Sequence, residues 1–185
     1  INRTFDGEMI NKNYDIRDFS ELKISGGWSV SLSSHEDYKI SVTFPKELEN
    51  KIVVDKNGSV LNLSTEGIID FKGNHFKAEI HMPNLEKISS QGGMTAELKG
   101  FEGKNLSMEC GGGVQIKAQE FTYENLRLQL NGGIQGDLDD LTAKNVHVEG
   151  NGAVDLSLKL NGGTLSGKVN GAANIRIKGT MDKNT

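Results

Sequence analysis

The chain is short of the residues on which disulfide frameworks, metal clusters and most catalytic sites depend. One cysteine, Cys110, stands in 185 residues, which excludes an internal disulfide and any thiolate cluster for zinc. A lone thiol is compatible with the cytosol and equally with a bacterial envelope. The four histidines, His35, His75, His81 and His147, are too scattered in sequence to form a local metal pair. Lys and Arg number 21 against 25 Asp and Glu, a net charge of −4, so there is no cationic footprint for nucleic acid or an anionic membrane. No apolar run approaches the roughly 18 residues of a spanning helix. The N-terminus, Ile1 to Asp6, has no apolar region followed by small residues, so any export signal is expected to have been removed already. Walker, Rossmann, Gly-x-Ser-x-Gly, His-Glu-x-x-His and Cys-x-x-Cys patterns are all missing, so the minimum parts for phosphate cradling, nucleophilic catalysis and zinc chemistry are missing with them.

What the chain has is glycine, at 23 positions, well above the roughly 7% of average usage, beside only two prolines, Pro45 and Pro83. The glycines are periodic. Asn105-Leu-Ser-Met-Glu-Cys-Gly-Gly-Gly-Val, Asn125-Leu-Arg-Leu-Gln-Leu-Asn-Gly-Gly-Ile and Asn145-Val-His-Val-Glu-Gly-Asn-Gly-Ala-Val each begin 20 residues after the last. A looser copy at Asn84 carries Gly92 and Gly93, and a 19-residue copy follows at Thr164. Apolar residues alternate inside each unit, which means strand rather than helix. A unit this short cannot bury its own apolar side, but stacked copies can. The spacing therefore predicts an all-β, right-handed parallel β-helix or solenoid with five regular rungs over residues 84–185. Gly92, Gly93, Gly112, Gly113, Gly132, Gly133 and Gly152 are its corners.

Residues 1–83 read as a more irregular β region. Leu22-Lys-Ile-Ser-Gly-Gly-Trp matches one rung, with Gly26 and Gly27 at its corner, and is expected as an outlying copy. Strands are expected at 39–44 and 77–82, a hairpin around Asn57-Gly58, and a loop over 66–76. The segment through Phe19 and the tail from Lys178 to Thr185 are expected to cap the terminal edges.

Positions 20 apart should share a column. Leu106, Leu126, Val146 and Leu165 form one interior stack; Met108, Leu128 and Val148 a second; Cys110 and Leu130 a third. Ser107, Arg127, His147 and Ser166 align on one outward face and Glu97, Lys117, Asp137, Ser157 and Arg176 on another, while Asn105, Asn125 and Asn145 line up as an amide ladder. The second outward column alternates in charge. With Asp155 it is the candidate glycan face: Lys117 or Arg176 as base and Asp137 with Asp155 as paired carboxylates or a Ca²⁺ site would make a polysaccharide lyase or hydrolase. The plainer reading is a solvated, charge-alternated face. Asp137, Asp139 and Asp140 are the tightest acidic group and the weak Ca²⁺ candidate; otherwise they make a polar turn. Trp28, Phe71, Phe76, Phe101 and Phe121 could stack on sugar rings or fill the core.

The blocks Leu-Lys-Ile-Ser-Gly-Gly and Ile-His-Met-Pro-Asn-Leu-Glu-Lys-Ile-Ser-Ser-Gln-Gly-Gly, with the later Asn-Gly-Gly and Asn-Gly-Ala corners, resemble the auto-transporter adhesin "head GIN" domain of bacterial envelope proteins over roughly residues 15–180. The family's usual corner, Ser-Gly-Gly-Gly-Asp, is here Asn-Gly-Gly-Ile, so no corner aspartate carries over. The resemblance implies export, to the periplasm, the outer-membrane surface or the medium. With no catalytic constellation, no cofactor and no metal assigned, the expected function is a noncatalytic binding or adhesion module for glycan or envelope protein. Self-assembly through terminal strands is the structural alternative, and the glycan-cleaving enzyme the catalytic one.

Overall fold

The computed structural model describes residues 7–66 and 76–184, with side chains as far as 180. The expected loop at 66–76 and the residues Phe71 and His75 therefore lie almost wholly outside the described residues. Strands follow one another as β1 (Met9–Tyr14), β2 (Glu21–Ser25), β3 (Trp28–Ser34), β4 (Lys39–Pro45), β5 (Ile52–Asn57), β6 (Val60–Thr65), β7 (Lys77–Met82), β8 (Lys87–Gln91), β9 (Met94–Lys99), β10 (Glu102–Gln119) and β11 (Phe121–Asn184). One 3-10 turn, Lys46–Lys51, joins β4 to β5.

All-β is as the alternation required, but the right-handed parallel β-helix or solenoid is not what forms. The eleven strands make one mixed sheet in the order β1-β4-β7-β3-β9-β10-β8-β2-β6-β5, with β11 on β10, curled into a nearly closed, barrel-like wall. Antiparallel pairs β1/β4, β4/β7 and β5/β6 share that sheet with parallel pairs β2/β8, β3/β9, β8/β10, β9/β10 and β10/β11. The reason lies in residues the repeat does not reach. Consecutive 20-residue units specify parallel pairing among themselves, whereas the first 83 residues reverse direction between β3 and β4, which flank β7 in opposite senses, and at Asn57-Gly58, where Gly58 has φ +61°. Chain order is also not layer order. β2 and β3 are inserted between β8/β9 on one side and β6/β7 on the other, so the expected outlying copy sits inside the sheet.

The 20-residue register holds where it was read. Asn105 lies opposite Asn125, Leu106 opposite Leu126 and Met108 opposite Leu128. Leu106, Leu126, Val146, Met108, Leu128, Val148, Cys110 and Leu130 are buried, and Leu165 is partly so. Trp28, Phe76, Phe101 and Phe121 are buried too, Trp28 against Phe76 with its indole N–H donating to the Ser25 carbonyl at 3.0 Å, so none of these four offers a sugar platform. Phe19 packs on Tyr38 at 5.0 Å. Burial pushes the Cys110 thiol up to about 11, which leaves it protonated and unreactive inside the wall.

Candidate binding surface

The paired glycines have two separate jobs. The first of each pair is demanded by the backbone: Gly112 has φ +93° and Gly132 φ +129°. A Cβ on Gly112 would stand 2.6 Å from the carbonyl oxygen of Gly92 in the layer beneath. The second glycine is under no such demand. Around Gly27, Gly113 and Gly133 a Cβ would meet nothing within 4 Å, and none of them has positive φ. In the last two layers Ala153 and Ala172 take the corresponding places along the trough.

These small residues are the floor of a trough of about 990 Å³ that crosses the strands from Trp28 to Asn174. Thr95, Gln115, Gln135, Asp155 and Asn174 stand along it. Thr95 lies opposite Gln115 and Gln115 opposite Gln135, so neighbouring layers present a hydroxyl or carboxamide about every 4.8 Å. Carboxamides both donate and accept, which suits a ligand rich in hydroxyls or amides. The floor strands already spend their backbone groups on one another.

The predicted charged face is brought together only in part. Ser31, Glu97, Lys117 and Asp137 are successive neighbours across the strands. Arg176 turns to Asp155 at 3.1 Å with both side chains about half exposed, so this pair contributes little to stability. The acidic group splits three ways. Asp140 accepts the Glu120 N–H at 2.8 Å, Asp139 pairs with Lys178 at 3.5 Å, and Asp137 accepts the Asp139 N–H at 3.4 Å. Among the described residues, no three His, Cys, Asp or Glu side chains converge on a point where a metal ion could sit.

The expected amide ladder is present, Asn125 donating to Asn105 at 2.9 Å and Asn145 to Asn125 at 3.1 Å. A second ladder, at spacings of 20 and 19 residues, lies just before the corner glycines: Asn151 donates to Asn131 at 3.1 Å and Asn170 to Asn151 at 3.2 Å. On the outer face His147 bonds Ser166 at 2.9 Å and Glu149 at 3.0 Å, and this partner holds the Glu149 carboxyl below the usual range.

Strand pairing also makes a contact that sequence spacing hides. His35 and His81 stack at 3.9 Å, nearly parallel, with Glu79 reaching both His81 and Lys39 at 3.3 Å. Desolvation, then His35 and Lys39, hold His81 below its ordinary value against the opposing pull of Glu79. A histidine depressed in the folded state contributes stability above its unfolded pKa of about 6.5 and loses it as pH falls through the folded value. Thermal unfolding between pH 7.5 and pH 5 is therefore expected to show a fall in Tm that becomes smaller in His81→Gln; equal slopes in the two proteins would refute the assignment.

A nearly closed β wall with a long small-residue trough on one flank and a charged column beside it defines a surface-presenting β module. Residues 18–138 match the family described as "Putative auto-transporter adhesin, head GIN domain", and the chain belongs to that family. Two solved structures share its fold. One, titled a putative adhesin of Bacteroides fragilis NCTC 9343, has TM-score 0.69 and 17% identity over 96% of this chain and 97% of that one. The other, titled a putative lipid binding protein of Parabacteroides distasonis ATCC 8503, has TM-score 0.59 and 16% identity over 97% of each. No curated protein matches the chain significantly. The family's description names an auto-transporter adhesin, which suggests a cell-envelope or exported protein, and among the described residues no helix is long and apolar enough to cross a membrane.

Proposed function

We propose that the chain is a noncatalytic binding module of the bacterial cell envelope, exported to the periplasm or surface, and that it holds an uncharged, extended glycan along the trough. The observation that carries this reading is the second glycine of each pair. Folding would accept a side chain at Gly113 and Gly133, yet the trough stays open there. Its polar wall of Gln115, Gln135, Thr95 and Asn174 can bond sugar hydroxyls, and its one acid, Asp155, is already paired with Arg176. A peptide could not add as a strand on this floor, because the backbone groups beneath it are committed to the sheet.

The test is binding of the chain to a glycan panel, with and without a chelator, beside Gly133→Phe. The ring of that variant would occupy the trough while the fold is kept. Binding of neutral glycans that survives chelation and falls more than tenfold in Gly133→Phe is the expected result. Equal binding by the two proteins removes the trough from the function, and release of new sugar ends from the panel removes the noncatalytic reading.

A further inference from the structure

We propose that the edge formed by residues 161–180 pairs with the same edge of a second copy, giving a closed two-fold dimer. The two ends of the sheet are built differently. At the far end the edge strands β1 and β5 each place a lysine on the core side of the pleat, Lys12 opposite Val42 and Lys56 opposite Leu61, both partners fully buried. An inward-facing charge on an edge strand opposes the addition of another strand, because pairing would bury it. Lys12 is held there over the Tyr14 ring, 5.4 Å from its centre.

At the other end, residues 161–180 carry no such guard. In the regular layers from Leu106 to Leu160 the large apolar side chains of the inner columns are buried, but in the layer above, Val169 and Ile175 are only partly buried and Ile177 is 38% exposed. Gly167 and Gly179 stack on Val148 and Leu160 in those same inner columns, so residues 161–180 turn no charge toward the core. The layer's charges are Lys168, Arg176 and Lys178 with no acid, which by itself would repel a like edge. Two of the three are folded back onto the preceding layers, Arg176 on Asp155 and Lys178 on Asp139. What remains is an apolar edge with most of its charge compensated from within. Head-to-tail growth would bring it against Lys12 and Lys56 of the next copy. A second copy of the same edge presents matching apolar columns and no buried lysine, and the two-fold contact closes instead of propagating.

The experiment is light scattering of the 1–185 chain across a concentration series, with hydrogen exchange at the same concentrations. A species of twice the 20.1 kDa chain mass is expected, with amides in 165–178 gaining protection as it forms and those of β1 and β5 unchanged. Ile177→Lys, which places a lysine on the half-open inner column where little packing is lost, should raise the dimer dissociation constant more than tenfold with an unchanged circular dichroism spectrum. A monomer at every concentration, a ladder of larger species, protection appearing at β1 or β5 instead, or a dimer untouched by Ile177→Lys would each overturn the proposal. Dimer formation without glycan binding, or the reverse, separates this inference from the trough reading.

Discussion

Gly112→Ala is expected to destabilise the chain by about 3–5 kcal/mol, whereas Gly113→Ala, one residue on, should change stability by less than about 1 kcal/mol. The first must hold φ near +93° and has a carbonyl oxygen 2.6 Å from where its Cβ would be; the second has neither constraint. The strain is steric and local, but the atom it strikes belongs to Gly92 in the adjoining layer, so relief would require two layers to part. For a chain of this length the difference corresponds to a Tm lower by about 10 °C or more in the first variant and nearly unmoved in the second. Parallel thermal melts of the two would check it. Equal losses would mean that the second glycine also serves the fold, which would take away the argument for an open trough.

Phe121→Ala is expected to cost about 3–5 kcal/mol. Phe121 is 1% exposed and lies between Phe101 at 5.6 Å, edge to face, and Tyr123 at 5.7 Å. Removing the ring leaves a cavity bounded by paired strands that cannot collapse without losing register. Tyr123 adds to the effect, since its hydroxyl donates to the Leu85 carbonyl at 2.6 Å and burial raises its pKa, so the phenol stays protonated at any ordinary pH. Chemical denaturation with an unchanged m-value and a lowered midpoint is the expected signature. A loss below about 1.5 kcal/mol would show that the site relaxes and that the aromatic column is not what fixes it.

Much of the local structure is written in the chain. The 20-residue spacing put Leu106 on Leu126, Met108 on Leu128 and Asn105 beside Asn125, because identical spacing forces identical pairing when neighbouring units are parallel. The hairpin at Asn57-Gly58 was legible for a different reason, since few residues other than glycine accept a positive φ there. The solenoid reading failed where those signals stop. Nothing in residues 9–14 or 39–45 says that they pair antiparallel at one end of the sheet, and nothing in Leu22-Lys-Ile says that it lies beside Ile88-Ser-Ser. Such pairings are set by which edges remain open once the repeat has formed, a property of the whole sheet and of no window of sequence.

The candidate site divides along the same line. Alternation of sign along Glu97, Lys117 and Asp137 could be read from spacing alone, because it follows from register. That Asp155 takes Arg176, that Asp139, Asp140 and Asp137 have different partners, and that His35 meets His81 could not, since these contacts depend on where long side chains turn and on how distant strands are ordered.

By itself the sequence determined the strand content, the inner and outer columns and the corner glycines, because each of these follows from a periodicity of two within a strand and of 20 between units. Only the tertiary structure decided that the sheet is mixed and nearly closed, that the first and second glycines of a pair serve different ends, and that the edge strands β1 and β5 each carry a lysine on the core side of the pleat. Those are relations between layers, and a layer's neighbours are fixed only when the edges of all the others have been paired.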